Sequence, residues 1–462
     1  MKKYKIKRNT IFLVIIFTTA SSYAQCWQSI STKDHTLAID SNFRLWSWGF
    51  NDSGEVGDGT TIDKSIPTEI GIDSDWSYVA AGGNQSFAIK TDGTLWAWGN
   101  NTFGQLGNGT NNNTTIPIQI GNDTDWVRIS GGVWHTMAIK ANGTLWGWGD
   151  NNTGEIGDGT NLNRNLPVQI GNQTDWNLVT SGHNFTIAKK TDGTLWAWGD
   201  NSYGKLGIGI DFGQNNMPIQ IGISSDWLKV AAGTNHVLAI KTNGTLWVWG
   251  SNQYGKLGDM TTIDKNHPIQ IGIENNWQEI DAGINHSISK KSDGSIWAWG
   301  LNVQGQLGTG NNISEIIPTQ IQTSSNWNNI YSGYLHSFGL KSDNTLWTWG
   351  VNTNGQLGNG NFSNQNLPQL ISCESLAISE IALEDNFKIR IFPNPTSSIL
   401  NIRSSNQDLT ISNSVKISNI SGKEVIQEYN VNQINISTLE AGMYFIQIQH
   451  DSKNYNSKFI KL

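Results

Sequence analysis

The chain has 462 residues, with 50 Gly, 22 Trp and only 15% charged residues. That composition excludes disorder, which needs few aromatics and high net charge, and long coiled-coil helices, which need Ala, Glu, Lys and Leu in bulk. The net charge is −7, and removing a leader with Lys2, Lys3, Lys5, Lys7 and Arg8 leaves 25 basic against 37 acidic residues, or −12, an acidic balance that repels phosphate backbones and argues against nucleic acid as a partner.

Residues 1–24 combine a basic stretch, the apolar run Ile11-Phe12-Leu13-Val14-Ile15-Ile16-Phe17 and small residues at Ser22 and Ala24, the pattern of a cleaved secretory signal peptide. The run is too short to span a bilayer, and no later segment approaches ~18 uninterrupted apolar residues, so no transmembrane anchor is expected. Lipid attachment at Cys26 is the alternative, but Gln25 stands where a lipobox has a small residue. Export puts the two cysteines, Cys26 and Cys373, in a compartment that permits disulfides. They bracket the repeat array that follows, so a Cys26–Cys373 bridge would tie its ends together, with an entropic ceiling of roughly 5–6 kcal/mol for so long a loop. The other reading is two unpaired buried thiols.

Residues 25–372 hold seven copies of one unit. The motif apolar-Trp-x-Trp-Gly has its first Trp at Trp46, Trp96, Trp146, Trp196, Trp247, Trp297 and Trp347, a spacing of 50 residues with one step of 51. Each copy has a further Trp upstream, at Trp27, Trp76, Trp126, Trp176, Trp227, Trp277 and Trp327, and a proline on the same beat, from Pro67 to Pro368. Asp92-Gly93 between two strand-like runs is a strong hairpin signal. A further strand is expected at Trp76–Val79, and a fourth opening at Pro67, where a proline costs no ladder bond. Four strands in about 50 residues make one propeller blade, so the fold class is all-β: a seven-bladed β-propeller followed by a small C-terminal β-sandwich. Residues two apart on a strand share a face, so Trp46 and Trp48 point the same way. The residue between the paired Trp is mostly small, as at Ser47, Ala97 and Gly147. Large rings on one blade are therefore expected over small side chains on the next. The alternative, exposed sugar-stacking platforms, fits a strict beat within strands less well.

After the Trp pair each unit continues Gly-x-Asn-x-x-Gly-x-(Leu/Ile/Val)-Gly, as in Gly99 to Gly107, and Gly-x-x-His-Thr precedes the hairpin, as in Gly132-Val133-Trp134-His135-Thr136. This pattern resembles the regulator-of-chromosome-condensation repeat. The resemblance implies a seven-bladed propeller used as a protein-binding platform, in a family that includes a nuclear guanine nucleotide exchange factor and secreted inhibitors of β-lactamase. It sets the fold and not the partner. Kelch and WD-repeat propellers fit less well, because no Gly-His…Trp-Asp or double-glycine signature keeps the beat.

Residues 373–386 read as a linker. From 387 to 462, Lys388-Ile389-Arg390-Ile391-Phe392-Pro393-Asn394-Pro395, Gly442-Met443-Tyr444-Phe445-Ile446 and Lys458-Phe459-Ile460-Lys461 alternate apolar residues with turn signals. This tail resembles the C-terminal sorting domain of the type IX secretion system of Bacteroidetes. The resemblance implies contact with that secretion machinery, passage through the outer membrane, removal of the tail, and release or attachment at the cell surface.

Chemistry has few places to sit. His35, His135, His236, His286 and His336 share one slot, which Gln85 and Phe185 fill in the other units. Equivalent positions are a blade apart, too far for the ~2 Å bonds of one zinc ion, so the slot reads as structural hydrogen bonding. The corners Asp73-Ser74-Asp75 and Asp123-Thr124-Asp125 resemble fragments of calcium loops, but later units lose the pattern. No nucleophile elbow, Walker loop, zinc motif or separate carboxylate pair appears, so no catalytic residue, metal or cofactor is expected and the protein is read as not an enzyme. Function should lie where the copies differ. One variable set lies between the recurring Gly and the His slot and includes Trp134, His183 and Tyr334; another precedes the Gly of Gly-x-Leu-Gly and includes Phe103, Tyr203 and Tyr254. These six residues are the candidate partner contacts. The expected role is a secreted or cell-surface, non-catalytic binding or adhesion protein whose partner is a protein or a glycan; the alternative is an inhibitor of an extracellular enzyme.

Overall fold

The computed structural model describes residues 27–321, 326–371, 379–381, 389–392, 399–404, 414–419, 422–429, 431–440, 442–450 and 453–461. The leader, Cys26 and Cys373 lie outside them. In the first blade β1 (Trp27–Thr32), β2 (His35–Asp40), β3 (Leu45–Gly49) and β4 (Lys64–Glu69) pair antiparallel in that order; β5 (Trp76–Ala81), β6 (Gln85–Lys90), β7 (Leu95–Gly99) and β8 (Thr114–Gln119) repeat it. The seventh blade consists of Trp327–Ser332, His336–Lys341, Leu346–Gly350 and Gln365–Ile371. All seven sheets of the ring are built from consecutive strands, so each blade starts at its upstream Trp and none borrows a strand from the far end of the chain.

Side-chain packing closes the ring. Trp27, Ile30, Trp46 and Trp48 of the first blade form one buried cluster with Phe338, Leu340, Leu346 and Ile371 of the last. The other interfaces follow the same plan: Trp126 and Trp148 of blade three pack with Leu95, Ala97 and Leu106 of blade two, the large-over-small arrangement that the repeat pattern predicts. The second indole of every pair is fully buried. The first is only half-buried in six blades, which corrects the expectation of a uniformly buried ladder.

That half-buried ring has its own cover. Trp96 meets Trp76 edge to face at 5.8 Å, and the Lys90 ammonium sits 4.9 Å from both ring centroids. Asp73 and Asp75 hold the ammonium at 2.8 and 3.2 Å. Lys140 repeats the stack with Asp123 and Asp125. These acidic corners are thus lysine anchors. In blade one the charges are exchanged: Asp40 holds Arg44 at 2.6 Å, and the guanidinium covers Trp46.

The hairpins form as read. Thr94 donates from its backbone N–H and its hydroxyl to the Asp92 carboxylate, at 2.9 and 2.7 Å. Gly93 has φ +80°, and a Cβ there would stand 2.1 Å from the Thr124 carbonyl oxygen, so turn and close approach both demand glycine. The proline does not open its strand. Pro67 lies inside β4, where the register with β3 shifts between Ser47 and Gly49, and an outermost strand at a bulge tolerates a missing N–H.

The tail forms two four-stranded sheets. Ile391, Leu400 and Ile402 of one share a core with Val415, Ile417, Ile446, Ile448 and Phe459 of the other. Ser379–Ile381, inside the segment read as a linker, pairs antiparallel with Ile389–Ile391 and supplies the edge strand of the first sheet. Among the described residues no helix is long and apolar enough to cross a membrane.

Candidate interaction surface

Antiparallel pairing in each blade puts two loops on the same face of the wheel: the one joining the first two strands and the one following the third. The inner loops are tied to one another around the axis. Gly83 N donates to Gly132 O at 2.8 Å, Thr234 N to Gly283 O at 3.2 Å, Ile284 N to Tyr334 O at 3.0 Å and Tyr334 N to Lys33 O at 3.2 Å. Phe103, in the outer loop of blade two, contacts Trp134, in the inner loop of blade three, edge to face at 5.6 Å. The two variable sets therefore share one face.

Beneath the inner loops the His slot fastens blade to blade. His35 Nε2 meets Ser86 Oγ at 2.7 Å, His135 meets Thr186 at 3.0 Å, His236 meets Ser287 at 2.9 Å, His286 meets Ser337 at 3.0 Å, and His336 meets Thr32 at 2.7 Å. Ser86, Thr186, Ser287 and Ser337 each donate onward to a backbone carbonyl of the preceding blade's outer loop. Their oxygens must then accept from Nε2–H, which leaves Nδ1 as the bare nitrogen, and all five Nδ1 atoms are buried without a hydrogen-bond partner. Burial accordingly holds His35, His135 and His336 down at about 3 and His286 at about 4, with His236 also well below its ordinary value.

The six candidate contacts separate into three kinds. Tyr334 is a plug: a Cβ at Gly83, across the axis, would come within 2.9 Å of its hydroxyl, and burial raises its pKa. His183 is half-buried, with its carbonyl accepting from Lys205 at 3.1 Å. Phe103 and Trp134 are half-buried against each other. Tyr203 and Tyr254, on neighbouring blades, are 48% and 41% exposed. Both hold a left-handed backbone, φ 67° and 66°, which costs a bulky residue roughly 1–2 kcal/mol.

Three features of this sector escape the motif-based reading. Lys205 and Lys256 are buried where the other units have Glu55, Gln105, Glu155, Gln306 and Gln356. Lys205 holds Asp200 at 2.6 Å and Asn235 Oδ1 at 3.0 Å; Lys256 holds Asn285 Oδ1 at 2.9 Å and is pushed down by burial to about 8. They brace the strained turns against the inner loops. Phe212 is 78% exposed in the outer loop of blade four, and Met260, at φ 66°, is 75% exposed in that of blade five. The signals were present in the sequence: lysine in a Glu/Gln position, and the single 51-residue step, whose extra residue falls in the loop with Phe212.

Models of the regulator of chromosome condensation (RCC1) repeat match residues 44–89, 92–139 and 142–188, and a second such model matches 76–105 and 126–155. The RCC1-like domain matches 171–391, and the secretion system C-terminal sorting domain matches 390–462. Among solved structures, human WBSCR16 is 21% identical over 71% of this chain and 93% of its own, with a TM-score of 0.65. Prp20p from Saccharomyces cerevisiae is 19% identical over 76% and 88%, with a TM-score of 0.64. Yeast RCC1 (Prp20) in its complex with Kap60 is 18% identical over 83% and 93%, with a TM-score of 0.65. At such identities the likeness carries the fold alone. No curated protein matches the chain.

Proposed function

The chain is an RCC1-like repeat propeller with a secretion system C-terminal sorting domain that sends it to the cell surface or beyond, and from that premise we propose that it is a non-catalytic binding protein that seats a partner protein on the outer loops of blades four and five. One observation carries this reading: two neighbouring tyrosines are displayed to solvent in a strained conformation that a glycine would hold at no steric cost. Tyrosine supplies large contact area at low entropy cost and is enriched among interface hot spots. Phe212 and Met260 extend the patch with apolar area. Prp20p, a similar fold, has binding properties toward Gsp1p and histones, which supports a platform role while leaving this chain's partner open.

The test is capture from the producing cell's own surface and secreted fraction, comparing the unaltered chain with a Tyr203→Ala, Tyr254→Ala double variant, beside a glycan array. Truncating two hot spots should weaken protein capture by more than about tenfold. Equal capture by both proteins would remove this face, and glycan binding lost in the variant would reassign the partner's class.

A further inference from the structure

The innermost strands enclose a central channel of about 410 Å³, within the ~300–1,000 Å³ range of small-molecule sites. At the end capped by the inner loops the axis narrows to a void of about 10 Å³ lined by Lys33, Val133, His183 and Tyr334. The channel therefore opens on the face opposite the tyrosine patch.

The charged residues of its lining are Lys33, Arg128 and Asp281. Arg128 lines the channel from blade three, and Lys189 of blade four stands opposite the channel-lining Leu178 in the ladder. Where other blades carry Ile39, Ile89, Ile139, Ile240 and Leu340, Lys189 and Lys290 replace an apolar residue. Lys229 pairs with Glu279, and Lys290 binds Gln278 at 2.8 Å. The side chains of Arg128 and Lys189 have no hydrogen bond or ion pair with any described residue. Burial and the charge of Arg128 push Lys189 down. At the blind end the Lys33 ammonium lies 5.9 Å from the Tyr334 ring centroid and within electrostatic reach of the Asp281 and Asp34 carboxylates, with burial lowering its pKa. The carboxylate of Asp281 is occupied, accepting from Ser332 N at 2.7 Å and Ala282 N at 2.8 Å.

Between these levels three hydroxyls have unused protons. Ser31 accepts from Ala81 N at 2.9 Å, Ser130 from Ser181 N at 3.0 Å and Thr180 from Ala232 N at 3.2 Å. Each oxygen is an acceptor in the blade-to-blade contact, and its own O–H donates to no described residue. Two unpaired cationic side chains at the open end, a lysine at the blind end and hydroxyl donors between them fit oxyanions. We propose that the channel binds a small organic polyanion bearing carboxylate or phosphate groups, with Lys33 at its leading end, Arg128 and Lys189 at its trailing end, and Ser31, Ser130 and Thr180 donating along its length.

Titration calorimetry on the full chain at low ionic strength, with citrate and inorganic pyrophosphate as probes, tests this. Saturable one-site binding is expected, and the tighter probe assigns carboxylate or phosphate chemistry. Arg128→Ser and Lys189→Ile, the latter restoring the residue type of other blades, should each weaken binding about tenfold, whereas Lys423→Ala in the tail should not. Absence of saturable binding by either probe, or unchanged affinity in the folded double variant, would overturn the assignment. Neither variant touches the tyrosine patch, so the two proposals fail separately.

Discussion

Tyr203 and Tyr254 carry opposite stability and binding consequences, which separates the two roles. Glycine at either site relieves the left-handed strain but adds unfolded-state entropy, so Tyr203→Gly and Tyr254→Gly should leave stability unchanged or raise it by up to about 1 kcal/mol. Partner capture should fall in the same proteins. Urea melts beside capture assays check this, and a clear loss of stability would show the rings to be structural. The five imidazoles make a second prediction. Their folded pKa values, about 3 to 4 where a value is set, lie below the unfolded value of about 6.5. Their stabilising contribution is therefore complete above that value and is lost as pH falls toward 3 to 4. Glu55 and Glu155, raised by burial to about 7, and Asp34, raised to about 6, have the opposite sign and lose stability as pH rises. The two sets offset at mildly acidic pH, and stability should fall most steeply below the ordinary glutamate value of 4.5. Replacing His236 by Gln, the residue that unit two carries at this slot, should flatten that fall in melts between pH 7 and 4.

At the scale of the blade, glycine positions divide by their surroundings. Gly93 combines φ +80° with a backbone oxygen 2.1 Å from its missing Cβ, while Gly71 has φ +71° and open space. Gly93→Ala should cost roughly 2–3 kcal/mol and Gly71→Ala about 1, and denaturant unfolding of the pair would distinguish them. The hairpins, the Trp-bearing strands and the His slot were legible because each repeats a local rule seven times. The place of Pro67 was not: a bulge in an outermost strand removes the ladder bond that proline would otherwise break, and no local pattern announces a bulge. The half-exposure of Trp96 was also hidden, because its cover comes from Lys90 and the acidic corner acting together.

For the whole wheel, sequence alone leaves the start of each blade open, since any cyclic choice of four strands satisfies the repeat. Packing decides it: the first and last blades meet through Trp48, Phe338 and Ile371 without sharing a sheet. Trp48 donates to Gln356 O at 3.0 Å, as Trp148 does to Gln105 O at 2.8 Å. Trp48→Ala should therefore destabilise by about 3–5 kcal/mol, as much as Trp148→Ala; a much smaller loss in urea unfolding would mean that the closing interface is not an equal member of the ring. The packing of Tyr334 was hidden for the same reason, because its contact with Gly83 crosses the axis between distant repeats. The most direct measurement is a photocrosslinking map on the producing cells, with a photoreactive phenylalanine analogue in place of Tyr203, Tyr254 or, at 97% exposure on the opposite face, Ile223. A discrete protein adduct from positions 203 and 254 and none from 223 is the expected result; adducts from 223 alone, or from no position, would contradict a partner seated on blades four and five.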